Sequence, residues 1–405
     1  MKKAFLILAL CCGFFYLQAQ VFSDIVKTPP MGWNSWNCYK ENVDEAKVKA
    51  NADAIVKSGM KDAGYNYVII DDGWQTSERN SEGHIIVNKE KFPNGIKHLA
   101  DYVHNLGLKF GIYSAPGCFT CQKLMGSKGH EQTDANDYAS WGVDYLKYDW
   151  CNFPKTQVEA KQTSADSCRA AFELMRKCLN NTGRPIVYSV NDDCGKVVKE
   201  NSLPWVKKVA DLHRTGEDIK DNWDRMLFCL ESTADLWQYA GPGYWNDPDL
   251  LEVGNTSIER VWGNISKVKM NLTEYKTHFS LWCIVAAPLI ASNNLETMKP
   301  EITEILTNKE VIAVDQDPLG KQGKRIHVEG DHEVWSKEMS GGKLAVVLLN
   351  RSNNASDIKL EWKELGYQGK LKVRDLWEHK NLGRFKSSFT GKNIPSHGCM
   401  VLLIE

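Results

Sequence analysis

Val143-Asp-Tyr-Leu-Lys-Tyr-Asp-Trp-Cys151 opens as a β-strand and closes on ionisable groups. Val143, Tyr145 and Tyr148 suit a pleated, buried surface. Lys147 and Asp149 stand at i and i+2, so a strand presents both on one face. Two ionisable groups at the end of an apolar strand are costly to bury unless they pair or do chemistry. From this stretch alone, a structural ion pair and a catalytic strand end are equally good readings.

The flanking sequence repeats the pattern from about residue 28 to 315: a short apolar strand ending in polar or aromatic residues, then a helical stretch. The strands are Met31–Trp36, Tyr65–Ile70, Leu108–Tyr113, Val143–Cys151, Arg184–Ser189, Val209–Arg214, Gly243–Asp249 and Pro288–Ser292. Helical spacing marks Val43–Ser58, Ile96–Leu106, Glu131–Trp141, Ser164–Leu179, Tyr275–Val285 and Pro300–Thr307. Eight strands alternating with helices predict a (β/α)8 barrel of the TIM type. A doubly wound open sheet competes, but no Gly-x-Gly-x-x-Gly follows the first strand. After about residue 320 strands follow one another with only turns between them, among them Gly341-Gly342. This predicts an antiparallel β-sandwich. The reading is a signal peptide over 1–20, a barrel over 21–320 and a sandwich over 321–405.

The bulk numbers fit that division. The 405 residues are 42% hydrophobic and 25% charged, ordinary for a globular chain. A net charge of -1 favours neither nucleic acid nor a membrane surface as partner. Lys2 and Lys3 followed by the apolar run Ala4–Leu17 read as an export signal cleaved near Ala19 or Gln20, placing the protein in the periplasm or outside the cell. A lipoprotein reading through Cys11 or Cys12 is weaker, because no small residue precedes either. Ten cysteines remain after that segment. Cys118-x-x-Cys121 lacks the second pair a zinc site needs and the context a redox site needs.

Acids collect at the strand ends: Asp71, Asp72, Asp149, Asp192, Asp193, Glu217, Asp218, Asp247 and Asp249. In a (β/α)8 barrel these ends converge on one mouth, where active sites lie. Helix capping explains any one of them but not the whole set. Only His213 lies near these ends, which disfavours a Ser-His-Asp hydrolase and a histidine-rich metal site. A carboxylate-only Mg²⁺ or Ca²⁺ site is the competing reading. Carboxylates with Trp36, Trp74, Trp150 and Tyr113 suit sugar hydrolysis: aromatic faces pack on the ring, and two carboxyls perform the chemistry. Lys147 would hold Asp149 ionised, as a nucleophile requires. The acid must keep its proton until it is used.

At this point the chain resembles the retaining α-galactosidases of glycoside hydrolase family 27. The resemblance rests on Pro30-Met-Gly-Trp-Asn-Ser-Trp36, Asp71-Asp72-Gly-Trp74, Gly111-Ile-Tyr-Ser114, Lys147-Tyr-Asp-Trp-Cys151, Arg214-Thr-Gly-Glu-Asp218, Trp245-Asn-Asp-Pro-Asp-Leu250 and Pro318-Leu-Gly-Lys-Gln-Gly323, in that order. It implies that Asp149 is the nucleophile and Asp218 the general acid/base, with Arg214 binding the sugar. It implies that Asp71 and Asp72 hold the O4 and O6 hydroxyls of a terminal α-galactose, and that Trp36, Tyr113 and Lys147 also touch the sugar. Cys121 and Cys151 match a disulfide at the pocket edge, and no cofactor or metal is implied. Two places depart from the pattern. Val190-Asn-Asp-Asp-Cys194 stands where relatives often carry Cys-Glu-Trp at the wall reading the 2-substituent, which brings Asp192 forward as a contact and leaves galactose and N-acetylgalactosamine both open. Ser114-Ala-Pro replaces Ser-Asp, and Gly73 replaces a cysteine, so Cys38 lacks that partner. A β-L-arabinopyranoside, which lacks the C6 hydroxymethyl, and a non-catalytic sugar-binding role are the remaining rivals. Homo-oligomerisation stays open.

Overall fold

The computed structural model describes residues 25–152, 164–192, 199–255 and 269–405. The expected export signal, Asp193 and Cys194 lie outside them. Eight parallel strands form one sheet: β1 (Met31–Asn34), β2 (Tyr67–Ile69), β3 (Lys109–Ser114), β4 (Tyr145–Asp149), β5 (Val187–Asn191), β6 (Leu212–Arg214), β7 (Trp245–Asp247) and β8 (Leu289–Ala291). Their order is β8-β1-β2-β3-β4-β5-β6-β7. A parallel bridge from Leu251 to Ala291, with the Leu251 N–H donating to the Ile290 carbonyl at 2.8 Å, joins the two ends. The predicted (β/α)8 barrel is therefore the fold. Every strand is buried along nearly its whole length, as parallel strands must be when helices cover them.

The register fixes what meets at the mouth. Tyr113 pairs with Lys147, Lys147 with Ser189, Asp149 with Asn191, and Arg214 with Asp247. Close packing between neighbours is visible at Gly32, where an added Cβ would stand 2.4 Å from the Tyr67 carbonyl oxygen. The outer helices are α1 (Glu45–Lys57), α2 (Ile96–Asn105), α3 (Glu131–Trp141), α4 (Ser164–Asn181), α5 (Lys199–Val206), α6 (Trp223–Ala234), α7 (Leu272–Ile284), α8 (Pro300–Leu306) and α9 (Lys309–Asp315). Side-chain caps start several of them. Asp44 accepts from Lys47, Asn222 from Arg225, and Asn271 forms a capping box with Glu274.

Beyond Lys324 the chain is antiparallel: β9 (Lys324–Glu329), β10 (His332–Glu338), β11 (Leu344–Asn350), β12 (Ser356–Glu361), β13 (Leu371–Asp375), β14 (Lys380–Phe385), β15 (Ser388–Ile394) and β16 (Cys399–Ile404). They make a six-stranded sheet, β9-β10-β11-β16-β13-β14, and a pair, β12-β15. Val346, Leu348, Leu360, Trp362 and Leu402 fill the space between them. The other face of β11 joins the barrel's core through Ala345, Val347 and Leu349. Helix α7 is buried on nearly all sides because it lies between barrel and sandwich. Trp377 donates to Ser280 (2.9 Å), and Trp223 stacks on His397 with ring centres 4.3 Å apart. Arg325 and Arg351 both reach from the sandwich to Glu231 of α6.

Candidate active site

Asp71, at the end of β2, is the most heavily bonded acid at the mouth. Lys147 Nζ lies 2.7 Å from its Oδ2, and Asn34 Nδ2 donates to the same oxygen at 2.9 Å. Its own N–H is held by Ser35 Oγ. The opening ion pair is thus Lys147–Asp71 across two strands, rather than Lys147–Asp149 along one. Asp71 is buried and Lys147 nearly so, and Asp71 is the largest of the carboxylate charges that hold the ammonium, with Asp149 and Asp249 adding to it. Removing one partner leaves the other charge stranded. Lys147→Met is expected to cost about 3–5 kcal/mol of stability, read as a lowered urea midpoint, and to depress turnover.

Asp72 differs from its neighbour. One oxygen accepts from the Gln122 N–H at 2.9 Å, while Oδ1 is buried without a partner among the described residues. Burial, with Asp71 and Asp149 adding to it, pushes its pKa up to about 7. An orphaned buried acceptor at the mouth is a place for a ligand hydroxyl.

Asp149 closes β4. Tyr113 donates its hydroxyl to Asp149 Oδ2 at 3.0 Å and stands 3.5 Å from Cys151 Sγ. Cys151 is bonded to Cys121, as the resemblance implied. Gly117 allows this rim to close, since a Cβ there would come within 2.1 Å of the Cys151 carbonyl oxygen. Cys121, Cys151 and Asp149 bring sulfur and oxygen atoms within 4.8 Å of one another, but the two sulfurs are spent in the disulfide and offer no thiolate to a metal. Lys147 acts on Asp149 in the expected direction, favouring the ionised form, but against a stronger opposing effect. Enclosure pushes the Asp149 carboxyl up, and Lys147 and Arg214 only partly offset it, leaving it at about 6.

Asp218 follows β6. Arg214 Nη2 donates to its Oδ1 at 2.8 Å, and Arg214 Nη1 lies 3.1 Å from Asp249 Oδ1. Partial desolvation acts upward on Asp218, but the Arg214 charge and hydrogen bond outweigh it and hold the carboxyl below its ordinary range. Its side chain is 75% exposed, so water screens this pair and the direction is what matters. In the free protein enclosure raises the Asp149 carboxyl while Arg214 lowers that of Asp218, so Asp149 holds a proton the more tightly of the two. Asp249 sits at φ 99°, a backbone region residues with a Cβ rarely adopt. It is pinned by the Ile219 N–H on its carboxylate and by Trp282 on its carbonyl. Strain kept at such a point is characteristic of functional sites.

The other candidates separate. Trp36 is half-buried beside the mouth, its N–H held by Asn34. Trp74 is fully buried and donates to the Tyr113 carbonyl, so it belongs to the wall. Trp150 packs on Phe172. Glu217 is exposed and paired with Arg225. Asp192 is buried, one carboxylate oxygen 3.2 Å from His213 and the other without a partner among the described residues, and Asn191 is the residue level with Asp149. Asn34 went unread in the sequence. Its signal was a polar residue closing the first strand, between two tryptophans.

A family model described as "Alpha galactosidase A" matches residues 28–317, and one described as the "Alpha galactosidase C-terminal beta sandwich domain" matches 329–404. The chain belongs to the α-galactosidase A family. Alpha-galactosidase 3 of Arabidopsis thaliana is 42% identical over 395 residues, covering 96% of this chain and 84% of the relative. Among solved structures of this family, alpha-galactosidase I from Mortierella vinacea is 36% identical with a TM-score of 0.85, covering 94% of this chain and 98% of that one. The Saccharomyces cerevisiae enzyme, crystallised with raffinose, is 26% identical with a TM-score of 0.83, covering 95% and 99%. Family membership accounts for both halves of the fold, barrel and sandwich.

Proposed function

We propose that the protein is an exo-acting, retaining α-galactosidase that releases terminal α-linked galactose from oligosaccharides or glycoconjugates. The observation that carries this reading is the single mouth at which β2, β3, β4 and β6 present Asp71, Asp72, Tyr113, Lys147, Asp149 and Arg214, with Asp218 just beyond, in a chain of this family. Asp149 attacks the anomeric carbon while Asp218 protonates the departing oxygen. Asp218 then takes a proton from the water that releases the sugar, so the anomer is retained. Asp71 and the free oxygen of Asp72 accept from sugar hydroxyls, and Lys147 donates. Tyr113 orients the nucleophile. Keeping both aspartates favours a substrate with the C6 hydroxyl over an arabinopyranoside. The basic and then apolar N-terminus supports export.

The test is release of nitrophenol from the α-galactoside, the α-N-acetylgalactosaminide and the β-L-arabinopyranoside. The α-galactoside is expected to lead by about tenfold or more in kcat/KM. A lead for either rival replaces galactose with that sugar.

These proton affinities give a pH prediction. The productive form needs Asp149 ionised and Asp218 protonated. Because Asp149 binds its proton more tightly in the free protein, that form is the minor tautomer of a pair sharing one proton. Its share is steady while the pair holds that proton and falls once the proton leaves, above about pH 6. The value of kcat/KM is expected to drop about tenfold per pH unit beyond that limb. A profile flat to pH 8 contradicts this order of affinities.

A further inference from the structure

Two lysines that the hydrolytic steps do not use stand beside Asp218. Lys220 is two residues on in the same loop. Between them Ile219 is buried, its N–H tied to Asp249, which leaves Asp218 and Lys220 on the open side. Lys40 comes from the turn after β1. Its ammonium lies 5.2 Å from the centre of the Trp36 ring and donates to Asn37 Oδ1 at 3.1 Å. Asn37 in turn donates to the buried Glu252, which also accepts from Asn255 at 2.6 Å. A fixed amide thus anchors Lys40, whose backbone holds φ 51° and ψ -140°, a conformation rarely adopted by residues with a Cβ. Lys40 over Trp36 and Lys220 beside Asp218 thus both bear on the acid/base carboxylate, and the Lys40 charge acts on Asp218 and Lys220 alike.

Neither lysine is held in a close ion pair among the described residues. Arg214 is matched by Asp218 and Asp249, Lys147 by Asp71, and Arg225 by Glu217. Among the described residues neither Lys40 nor Lys220 has a carboxylate within 4.0 Å. The charge of Glu41, next in the chain to Lys40, acts on Lys91. Asp218, already paired with Arg214, is the carboxylate whose charge acts with both, so the two lysines are only partly matched and a bound anion lowers their mutual repulsion.

Asp218 is where the leaving oxygen takes its proton, so the unit released from galactose departs past these lysines. We infer that the leaving-group side of this site is built for an anionic unit, carrying a carboxylate as in a uronic acid or a sulfate ester. The inference rests on the α-galactosidase reading and deepens it. It also gives the lysines a role in catalysis. Lys40 and Arg214 hold the Asp218 proton affinity down, against its use as an acid, and an anion seated on the lysines offsets that pull in the bound complex.

The test compares kcat/KM of the full chain on four aryl α-galactosides: 4-carboxyphenyl, its methyl ester, 4-sulfophenyl and 4-nitrophenyl. The ester removes the charge with little change in shape. One or both anionic galactosides are expected to exceed the ester by about tenfold at low salt, less at high salt. The larger ratio names carboxylate or sulfate-type recognition. In the K40Q/K220Q double variant the anion-to-ester ratio is expected to fall to within about twofold of one. The inference is overturned if the ester is cleaved as well as both anions, or if the preference survives the double substitution. If 4-nitrophenyl α-galactoside is not cleaved at all, the α-galactosidase reading fails first and this inference falls with it.

Discussion

Asp149→Ala is expected to reduce turnover by roughly 10⁴- to 10⁶-fold, the scale on which removal of a covalent nucleophile acts. The loss should be the same for good and poor leaving groups, because no galactosyl-enzyme forms with either. Azide, small enough to enter the space left by the carboxylate, should restore cleavage of 4-nitrophenyl α-galactoside and give β-galactosyl azide, since it attacks from the face Asp149 used. Stability should move the other way. Enclosure raises the Asp149 pKa above its unfolded value, so ionising it at neutral pH costs the folded state. Below the unfolded pKa that cost vanishes. Alanine should therefore leave the melting temperature unchanged or higher at pH 7, with the difference shrinking towards pH 3. A variant that unfolds, or keeps turnover within tenfold of the parent, removes Asp149 from this role.

Asp218→Ala should divide substrates by leaving group. Protonation matters little for 2,4-dinitrophenolate, a stable anion, and a great deal for a sugar alkoxide. The loss in kcat/KM is expected to be roughly 10²- to 10⁴-fold on raffinose-type substrates and small on the dinitrophenyl galactoside. Azide should now yield α-galactosyl azide, because it intercepts the galactosyl-enzyme from the other face. With a side chain 75% exposed, Asp218 makes a screened pair with Arg214, which keeps Asp249 as a partner. The stability change is expected to stay within about 0.5 kcal/mol. A uniform loss across leaving groups would falsify the acid/base assignment.

Most of the barrel was legible because its strands are short apolar runs closed by acids, and that pattern survives in sequence order. Glu131–Trp141 is the expected helix to the residue, ended by Gly142 at φ 82°. The hairpin Gln75–Arg79 with Ile85–Val87 was not legible, since its outward residues are polar and its shape comes from contacts made elsewhere. Arg79, for one, is anchored to Asp134. Helix α6 lies between two strand ends rich in acids, whose pattern masks its helical spacing. In the sandwich, β14 and β15 went unread because Gly383 and Gly391 break their alternation.

The site divides in the same way. Residue types at strand ends were readable, but partners across strands were not. Asp149 and Lys147 share a face, as alternation requires, yet Lys147 reaches over to Asp71, two strands away through β3. Asp192 looked like a wall residue from its place after the strand. The register puts Asn191 level with Asp149, and Asp192 has His213 beside it, a neighbour that sequence order does not reveal. Electrostatic order was least legible of all, because it depends on how deeply each carboxyl is enclosed and which arginine reaches it.

A covalent galactosyl-enzyme formed by Asp149 dictates the anomer that is first released. Proton NMR of an early hydrolysis mixture of 4-nitrophenyl α-galactoside, read before mutarotation, should show α-galactose first, with the β-anomer growing in later. Initial release of β-galactose would mean direct attack by water and would contradict the double displacement.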